Sequence, residues 1–596
     1  MKMSWIALAG LVPLSLAFAP SDEPAKVPAV AKVTAGRAVG VGSRPTLGIA
    51  TTIGGKTIDL GAPGKVRVIL FSSTTCPIAM KLRPTLQPLQ QAWMGKGVEF
   101  IEVYSNAAET NAEIKKFGLK GTAVRDPKRA IQSALGAKTS TEAFVLDEAG
   151  TLMYRGAVSD QFGLGTALPK PNRIYLNEAL VALSKGEAPE IEATTAPGCA
   201  LEEAVAPAPA KVTYSNQVSR IMQRSCVPCH RSGGIGPFKL DNFKDVASRK
   251  QMIDFVTQRK QMPPWFADDK PGPTSPWHND RSLTSDELNT LKQWIADGAP
   301  QGNPKELPKP LTFPADWRIG TPTKVVQVGR PVDVIANGTM EYVNIEVDPQ
   351  VDQDMWVTAY QIKPTDAAVV HHVLVFMEDK SWQKLTPRER TRKRFAEGDG
   401  EGLKGFFAGY VPGNDGIIYP KGFAKRLKKN SILRFQIHYT PNGKATTDQP
   451  KLGMVMSPTP PTHEVFTGAV SNLFLNIPPN TADYTSVGKL PVPFDARIIG
   501  FMPHMHIRGW AFKYELVPPQ GDAVTLLNIP KYDFNWQLAY QYKEPYTVKA
   551  GSTIRATAVF NNSKSNPAVP DPERTVHWGD QTRDEMFLGY LEYYRP

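Results

Sequence analysis

Five of the nine histidines fall on short apolar runs in the C-terminal half of the 596-residue chain, where they could bind metal ions. They are His371, His372, His438, His504 and His506. Side chains at positions i and i+2 of a strand share one face, so His504 and His506 can chelate one ion. Adjacent strand residues face opposite ways, so His371 and His372 need a strand end or a β-bulge to reach one ion. His438 would complete this metal site from another strand.

Met586, in the segment Asp584-Glu585-Met586, is a candidate thioether ligand in the same region. Imidazole suits copper, zinc, iron and nickel, and an added soft thioether favours copper, particularly Cu(I). A structural role is the alternative for these histidines. Three separate histidine elements in a region without cysteine favour metal binding instead.

The segment Cys226-Val-Pro-Cys229-His230 has the spacing of a haem attachment site. Two thiols one helical turn apart reach the two vinyl groups of haem, and the adjacent His230 reaches the iron. We expect Met262, on a proline-rich loop, to be the sixth ligand in preference to Met252, which lies in a helical pattern. A Met/His pair raises the haem potential and suits a one-electron carrier. The alternative is that Cys226 and Cys229 form an ordinary disulfide and that His230 follows them by chance.

The first 200 residues predict alternating strands and helices. Strands are expected at 66–71, 97–104 and 143–146, with a helical stretch between the first two that runs through Trp93. This alternation favours α/β packing. Cys76 falls at the turn from strand to helix, where the helix N-terminus stabilises a thiolate.

The two later regions have different patterns. Residues 216–224 and 282–298 predict helices, the second with a Thr284–Glu287 capping box. Beyond residue 330, short alternating runs recur without long helical periodicity, and they predict β-sandwiches. These runs are 332–347, with a hairpin at Asn337-Gly338, then 369–376, 432–439, 496–502, 553–560 and 586–594.

Three resemblances follow from these motifs. The first region resembles the thioredoxin-like redoxins, although Ala79 replaces the second cysteine of the usual Cys-x-x-Cys motif. Cys199, in the tail after this region, is the candidate partner of Cys76, either in a redox-active pair or in a static disulfide. Residues 212–300 resemble cytochrome c. The C-terminal histidine and methionine elements resemble the copper type II, ascorbate-dependent monooxygenases.

The copper monooxygenase resemblance implies two coppers on facing walls of two jelly-roll domains. The electron-transfer copper would be held by His371, His372 and His438. The copper at which O2 reacts with a substrate C–H bond would be held by His504, His506 and Met586. Tyr590 matches a tyrosine of the family's catalytic region. Met502 and Leu588 occupy the positions of two peptide-contacting residues, which disfavours a peptide substrate.

The predicted fold is therefore multidomain: a thioredoxin-like α/β domain, an all-α cytochrome c domain and two β-sandwich copper domains. Proline-rich joints set the expected boundaries. These are a signal peptide (1–19), a linker (20–45), the redoxin domain (46–195), an Ala/Pro linker (196–211), the cytochrome c-like domain (212–300), a Pro-rich linker (301–320), and copper monooxygenase-like domains at 321–460 and 461–596.

Export is predicted by the N-terminus, where Lys2 precedes an apolar run over 6–19 that ends in small residues. We expect a periplasmic or secreted protein with no integral membrane span. The 69 basic and 57 acidic residues leave a net charge of +12, a surplus too mild to indicate nucleic-acid binding.

The main functional hypothesis is a monooxygenase with two coppers and one covalent haem c, using O2, an unknown small-molecule or peptide substrate and an unknown electron donor. One alternative is a non-enzymatic electron-transfer or copper-handling protein. Another is a thiol peroxidase or disulfide exchanger centred on Cys76.

Overall fold

The computed structural model describes residues 40–117, 121–163, 166–202, 211–269, 274–314, 316–397, 406–411 and 416–596. The predicted signal peptide (1–19) and most of the predicted linker at 20–45 lie outside the described residues. Within the described ranges, no helix combines the length and the apolar character that crossing a membrane requires.

The N-terminal unit is a five-stranded sheet with helices on both faces. Its strand order is β5-β4-β3-β6-β7, in which β3, β4 and β5 run parallel and β6 and β7 antiparallel. Leu86 of α1 and Leu180 of α4 are buried on one face, and Leu135 of α3 on the other. The elements are β1 (Ile49–Thr51), β2 (Thr57–Asp59), β3 (Arg67–Phe71), α1 (Pro77–Met94), β4 (Glu99–Tyr104), α2 (Asn111–Phe117), β5 (Thr122–Arg125), α3 (Ala130–Leu135), β6 (Ala143–Leu146), β7 (Leu152–Gly156), β8 (Phe162–Gly163), β9 (Thr166–Ala167) and α4 (Tyr175–Ser184).

This sheet confirms the predicted α/β packing and the thioredoxin-like fold of the N-terminal region. The predicted strands appear as β3, β4 and β6, and the predicted helix appears as α1. Cys76 is the N-cap residue of α1, with extended backbone angles, as the turn from strand to helix requires.

Residues 211–269 and 274–300 contain short helices around buried Trp294 and Leu291, and the described residues between Gln258 and Ser285 form no helix. A π-helical turn over Tyr214–Val218 leads into α5, so the predicted helix before Cys226 is present. The predicted capping box is also present, with Thr284 and Glu287 bonded reciprocally at the start of α8. The helices are α5 (Ser219–Ser225), α6 (Phe243–Ala247), α7 (Lys250–Gln258) and α8 (Ser285–Ala296).

The C-terminal region is rich in strands, as predicted. A 3-10 turn over Pro304–Glu306 precedes it, and a second covers Lys380–Lys384. Its elements are β10 (Lys324–Gln327), β11 (Val332–Val334), β12 (Val343–Val347), β13 (Met355–Lys363), β14 (Val370–Asp379), α9 (Pro387–Glu397), β15 (Ala408–Tyr410), β16 (Gly416–Ile418), β17 (Phe423–Leu427), β18 (Ser431–Tyr439), β19 (Thr446–Asp448), β20 (Lys451–Ser457), β21 (His463–Ser471), β22 (Asn476–Ile477), β23 (Thr481–Pro491), β24 (Ala496–His504), β25 (Gly509–Val517), β26 (Val524–Ile529), β27 (Tyr540–Val548), β28 (Thr553–Asn562), β29 (Val576–His577) and β30 (Leu588–Tyr594).

One nine-stranded sheet runs through the whole C-terminal region, in the order β10-β20-β13-β17-β21-β30-β24-β27 with β16 beside β13. The parallel pair β17–β21 joins its two halves. One half packs against the sheet β12-β18-β14-β15, and the other half packs against β23-β28-β25-β26. The two β units expected from the sequence therefore share a continuous sheet across the 460/461 boundary.

Two local predictions are wrong. The predicted hairpin at Asn337-Gly338 does not form, because β11 pairs with β19 and β12 pairs with β18. Gly338 adopts a positive φ as a turn requires, but the chain changes sheets there. The helix α9 also interrupts the strands. Its start is a Thr386–Glu389 capping box, in which each side chain accepts the backbone N–H of the other residue.

A buried ion pair fixes the ladder between β14 and β18. Arg434 Nε lies 2.6 Å from Glu378 Oε1, and both side chains are at most 3% exposed. Removing one partner of a buried pair leaves an uncompensated charge, which costs about 3–5 kcal/mol. We therefore expect Arg434→Met to lower the urea midpoint strongly, as measured by tryptophan fluorescence. Lys549→Met, at the exposed Lys549–Asp495 pair, is the control and should leave the midpoint almost unchanged. Equal effects of the two substitutions would contradict this account.

Candidate metal centre and thiol pair

A β-bulge in β14 turns two adjacent histidines to the same side. The register pairs Val370 with Tyr439 but His372 with His438, so His371 is the additional residue. The Nδ1 atoms of His371 and His372 lie 3.1 Å apart. The bulge expected from the sequence is therefore present, and it overrides the normal alternation of a strand.

His438, on the neighbouring strand β18, completes a three-histidine group. One ring nitrogen from each of His371, His372 and His438 lies within 4.8 Å of the other two, and all three side chains are buried. The ring centroid of His438 is 4.7 Å from that of His371 and 5.2 Å from that of His372. This spacing suits three imidazole ligands around one ion.

His504 and His506 extend the group into a cluster of five imidazoles. The ring centroids of His372 and His504 are 5.4 Å apart, and those of His504 and His506 are 5.3 Å apart. The resemblance to the copper monooxygenases implies two separate sites on facing walls. In this structure the two predicted ligand sets are in direct contact, and we call them together the histidine cluster.

An apolar layer beside the histidine cluster explains this contact. Leu374 and Phe376 of β14 pack with residues of β24 and β30, which draws the two β units together. The β24 and β30 side of this layer consists of Met502, Met586, Leu588 and Tyr590, all at most 6% exposed. Met586 thus lies beside the cluster, two residues before Leu588, the strand partner of His504.

Tyr590 lies in the same apolar layer. Its ring meets Phe406 edge-on at a centroid distance of 5.1 Å, and its backbone oxygen accepts a hydrogen bond from Tyr514. Met502 and Leu588 are buried in this layer as well. They occupy the positions that contact a peptide in the copper monooxygenases that the sequence resembles. These two positions therefore present apolar side chains where a peptide would need polar partners.

Hydrogen bonds fix the rings of His504 and His506. His504 donates from Nδ1 to Gln537 Oε1 at 2.6 Å, and His506 donates from Nδ1 to the backbone oxygen of Asp584 at 3.2 Å. Both bonds direct Nε2 away from the supporting residue, as is usual for metal-binding histidines. The Glu585 carboxylate accepts the backbone N–H groups of His506 and Met586, and so ties the two predicted ligand segments together.

Burial keeps the cluster uncharged. Desolvation, aided by the nearby His504 and Lys81, lowers the pKa of His371 to about 3. Desolvation and neighbouring histidines also lower the pKa values of His372 and His438 well below the usual value. These imidazoles are therefore neutral at pH 7, which is the form that binds metal.

Three buried nitrogens in the histidine cluster have no hydrogen-bond partner: Nε2 of His371, Nε2 of His372 and Nδ1 of His438. A buried polar atom without a partner is costly and calls for an explanation, such as a bound ion. Neutral imidazoles with unpaired nitrogens are a donor set that fits copper. The residues present are thus suited to the ion that the sequence predicts.

Two aromatic residues that the sequence did not indicate line the histidine cluster. The Tyr342 ring lies 4.5 Å from that of His438, and its hydroxyl lies 3.4 Å from Nε2 of His506. The ring of Phe534 stacks on His371 at 4.7 Å. Both residues precede or follow strands without a recognisable motif, so only the folded chain identifies them.

The Cys226–His230 segment forms a hydrogen-bonded turn. The N–H groups of Cys229 and His230 both donate to the backbone oxygen of Cys226. His230 donates from Nδ1 to the backbone oxygen of Phe238 at 3.1 Å, which leaves Nε2 as the coordinating nitrogen. This arrangement of donors fits a covalently attached haem.

The two candidate methionine ligands lie in different surroundings. Met262 is half-buried, and its N–H donates to the backbone oxygen of Val256. Met252, on α7, lines a small cavity together with Phe238 and Cys199.

Cys76 and Cys199 form the second reactive group. Cys199 donates from Sγ to Cys76 Sγ at 2.8 Å, and no disulfide joins the two residues. Burial raises the pKa of Cys76, but hydrogen bonds from Cys199, Ser140 and the backbone of Ala79 outweigh it and lower the pKa to about 6. Cys76 is thus a thiolate at neutral pH, next to the cysteine that the sequence identified as its partner.

Two family models match parts of the chain. A redoxin model matches residues 26–166, and a model of the copper type II ascorbate-dependent monooxygenase C-terminal domain matches residues 477–596. The first match contains Cys76, and the second contains His504, His506 and Met586. Both resemblances are confirmed over these residues, and the second implies copper and an oxidoreductase. Neither match includes residues 212–300.

Solved structures similar to the chain include three proteins of low sequence identity. An uncharacterized conserved protein from Geobacillus kaustophilus is 20% identical, with 28% of this chain and 93% of that chain covered and a TM-score of 0.25. StoA from Bacillus subtilis is 24% identical, with 19% of this chain and 88% of that chain covered and a TM-score of 0.18. A secreted disulfide oxidoreductase from Mycobacterium tuberculosis is 23% identical, with 17% of this chain and 78% of that chain covered and a TM-score of 0.16. The comparison with curated proteins found no match.

A measurement of bound copper tests whether the three-histidine group is a metal site. We expect His372→Ala to lose Cu(II) binding at this group, because it removes a central imidazole and breaks the contact with His504. The measurement is copper bound per chain after dialysis, together with the Cu(II) electron paramagnetic resonance (EPR) spectrum. His577→Ala, at an exposed histidine, is the matched control and should bind as much copper as the wild type. Unchanged binding by His372→Ala would refute the site.

The Cys76 thiolate has a testable pH dependence. We expect alkylation of Cys76 in the reduced chain to rise with pH around a midpoint near 6, instead of the ordinary value of about 8.5. Ser140→Ala removes one hydrogen bond to the thiolate and should raise the midpoint by about one unit. Ser184→Ala, at an exposed serine, is the control. The rate is followed by mass spectrometry of the Cys76 peptide, and a wild-type midpoint above 8 would contradict the assignment.

Proposed function

We propose that this chain is an exported copper-dependent monooxygenase that hydroxylates a substrate C–H bond with O2 and receives its electrons through a fused c-type haem. The convergence of five buried histidines, three of them with unpaired ring nitrogens, carries the proposal. The family match over 477–596 supports it by including His504, His506 and Met586.

His371, His372 and His438 would hold one copper, and His504, His506 and Met586 the other. Bound copper supplies one-electron redox chemistry and reaction with O2. The chain's own contribution is to keep the imidazoles neutral, to orient His504 and His506 through Gln537 and Asp584, and to surround the histidine cluster with apolar side chains. These apolar surroundings would exclude bulk water from the metal site.

Cys226, Cys229 and His230 would hold the haem, with Met262 as the sixth ligand. The hydrogen bond from His230 to Phe238 supports this assignment, because it fixes the orientation of the imidazole. A cytochrome c-like domain at 212–300 is consistent with the short helices α5 to α8. Export is supported by the apolar run over 6–19 and agrees with haem attachment outside the cytoplasm.

A small or apolar substrate suits the proposal better than a peptide. Met502 and Leu588 are buried apolar residues at the two positions where the resembling enzymes contact a peptide. The same observation favours a second candidate function, a non-enzymatic electron-transfer or copper-handling protein. O2 consumption in the presence of candidate C–H substrates separates the two.

Elemental analysis is the first test. Protein exported in a host that attaches haem c should contain two coppers and one iron per chain after copper supplementation. The variant Cys226→Ala/Cys229→Ala should lose the iron and keep the copper, because its histidine cluster is unaltered. The same variant should consume O2 more slowly with an external electron donor. Iron without copper in the wild type would refute the monooxygenase proposal.

A further inference from the structure

The Cys199 tail is fixed firmly against the redoxin domain. Ser140 donates its N–H to the backbone oxygen of Cys199 at 2.8 Å, and Cys199 donates its N–H to Ser140 Oγ at 3.1 Å. A Cβ on Gly198 would lie 1.8 Å from the backbone oxygen of Ser140, so only glycine permits this approach. The two sulfur atoms are therefore held in contact by the fold itself.

The thiol pair lies against the helical region. Arg249 donates to Thr75, the residue before Cys76, over 3.5 Å, and its guanidinium lies 4.8 Å from the Phe238 ring. Cys199, Phe238 and Arg249 line a common cavity of about 40 Å³. The ring of Phe238 in turn contacts that of His230 at 4.8 Å. Phe238 is thus the link between the thiol pair and the candidate haem ligand.

The helical region also contacts the strands that support the histidine cluster. The rings of Trp265 and Tyr540 are 4.8 Å apart. Asn279 donates to the backbone oxygen of Ala539 at 2.8 Å, two residues beyond Gln537, which orients His504. The helical region therefore contacts both the surroundings of the thiol pair and the strands beside the histidine cluster.

The helix that begins after Cys76 makes a second contact with the metal-binding region. The backbone of Met80 approaches Gly443 so closely that a Cβ there would overlap the Met80 carbonyl. The next residue, Lys81, takes part in the same contact, because its Cα would lie 3.3 Å from that Cβ. The redoxin domain therefore packs against both parts of the proposed electron path.

From this arrangement we propose that Cys76 and Cys199 are the electron store of the chain and supply the metal centres with two electrons for each turnover. The inference rests on the proposed function and names its immediate electron donor. Oxidation of the Cys76 thiolate and the Cys199 thiol forms one disulfide, releases one proton and reduces two Cu(II) ions to Cu(I). One hydroxylation consumes the same two electrons, together with two protons, and yields the alcohol and water.

An external dithiol returns the pair to the reduced state. Cys199 is half-buried whereas Cys76 is 1% exposed, so a thiolate from outside attacks Cys199 Sγ and Cys76 leaves. A thiolate with a low pKa is the better leaving group, and the pKa of Cys76 is about 6. The second thiol of the reductant then attacks the mixed disulfide, which releases Cys199 and the oxidised reductant.

The test uses the full-length, haem-containing chain without O2. Desalted protein with reduced thiols and ferric haem receives two Cu(II) per chain, and the Cu(II) EPR signal is integrated. Thiols are counted after denaturation with a Cu(I) chelator, so that metal binding does not hide them. We expect the Cu(II) signal to disappear and the thiol count to fall from two to zero.

Two controls accompany this measurement. Cys199→Ser lacks the partner thiol, and we expect it to retain most of the Cu(II) signal. Wild-type protein whose pair was oxidised beforehand should also retain the signal, and this control requires no substitution. Elemental analysis of each sample establishes that copper is bound.

The outcomes are distinguishable. Bound Cu(II) that persists in the reduced wild type, with both thiols intact, overturns the electron store and leaves the monooxygenase proposal standing. Equal loss of signal in Cys199→Ser and in the wild type also overturns it. Failure to bind copper at all overturns both proposals.

Discussion

The additional residue at His371 in strand β14 is the constraint on which the metal-binding region depends. In a regular strand His371 and His372 would face opposite sides of the sheet. The shift in register against β18 brings both imidazoles to the side where His438 lies, within the most deeply buried ladder of the region. The same ladder holds the Arg434–Glu378 ion pair, which fixes its geometry on the C-terminal side of the bulge in β14.

Burial then determines the chemistry of the cluster. Desolvation of His371, His372, His438 and His506 opposes their protonation. Unpaired nitrogens in such surroundings are costly unless an ion occupies the space between them. The apolar layer of Leu374, Phe376 and Met586 strengthens both effects, because it excludes water and brings β14 close to β24 and β30. Copper binding would thus satisfy polar atoms that the protein leaves without partners.

The three regions of the chain are also connected in space. Arg249 and Phe238 join the helical region to the thiol pair, and Trp265 and Asn279 join it to the strands beside His504. Packing of Met80 against Gly443 closes the arrangement from the redoxin side. The helical region thereby contacts both the surroundings of the thiol pair and the strands beside the buried histidine cluster.

Local patterns in the sequence were sufficient for much of this description. Apolar alternation located β14, β18, β24 and β28, and the Thr284–Glu287 capping box located α8, because these signals involve residues close in the chain. Histidine spacing identified the cluster members, and the adjacency of His371 and His372 required a bulge. The capping box at Thr386 was equally readable and would have revealed α9.

Tertiary structure decided what depends on distant segments. The turn at Asn337-Gly338 joins strands of different sheets, because β11 pairs with β19 and β12 pairs with β18. Contact between His372 and His504 arises from packing between two β units, and Tyr342, Phe534 and Gln537 enter the site through loops without a motif. The sequence therefore determined which residues carry the chemistry, whereas long-range packing determined how far apart they are.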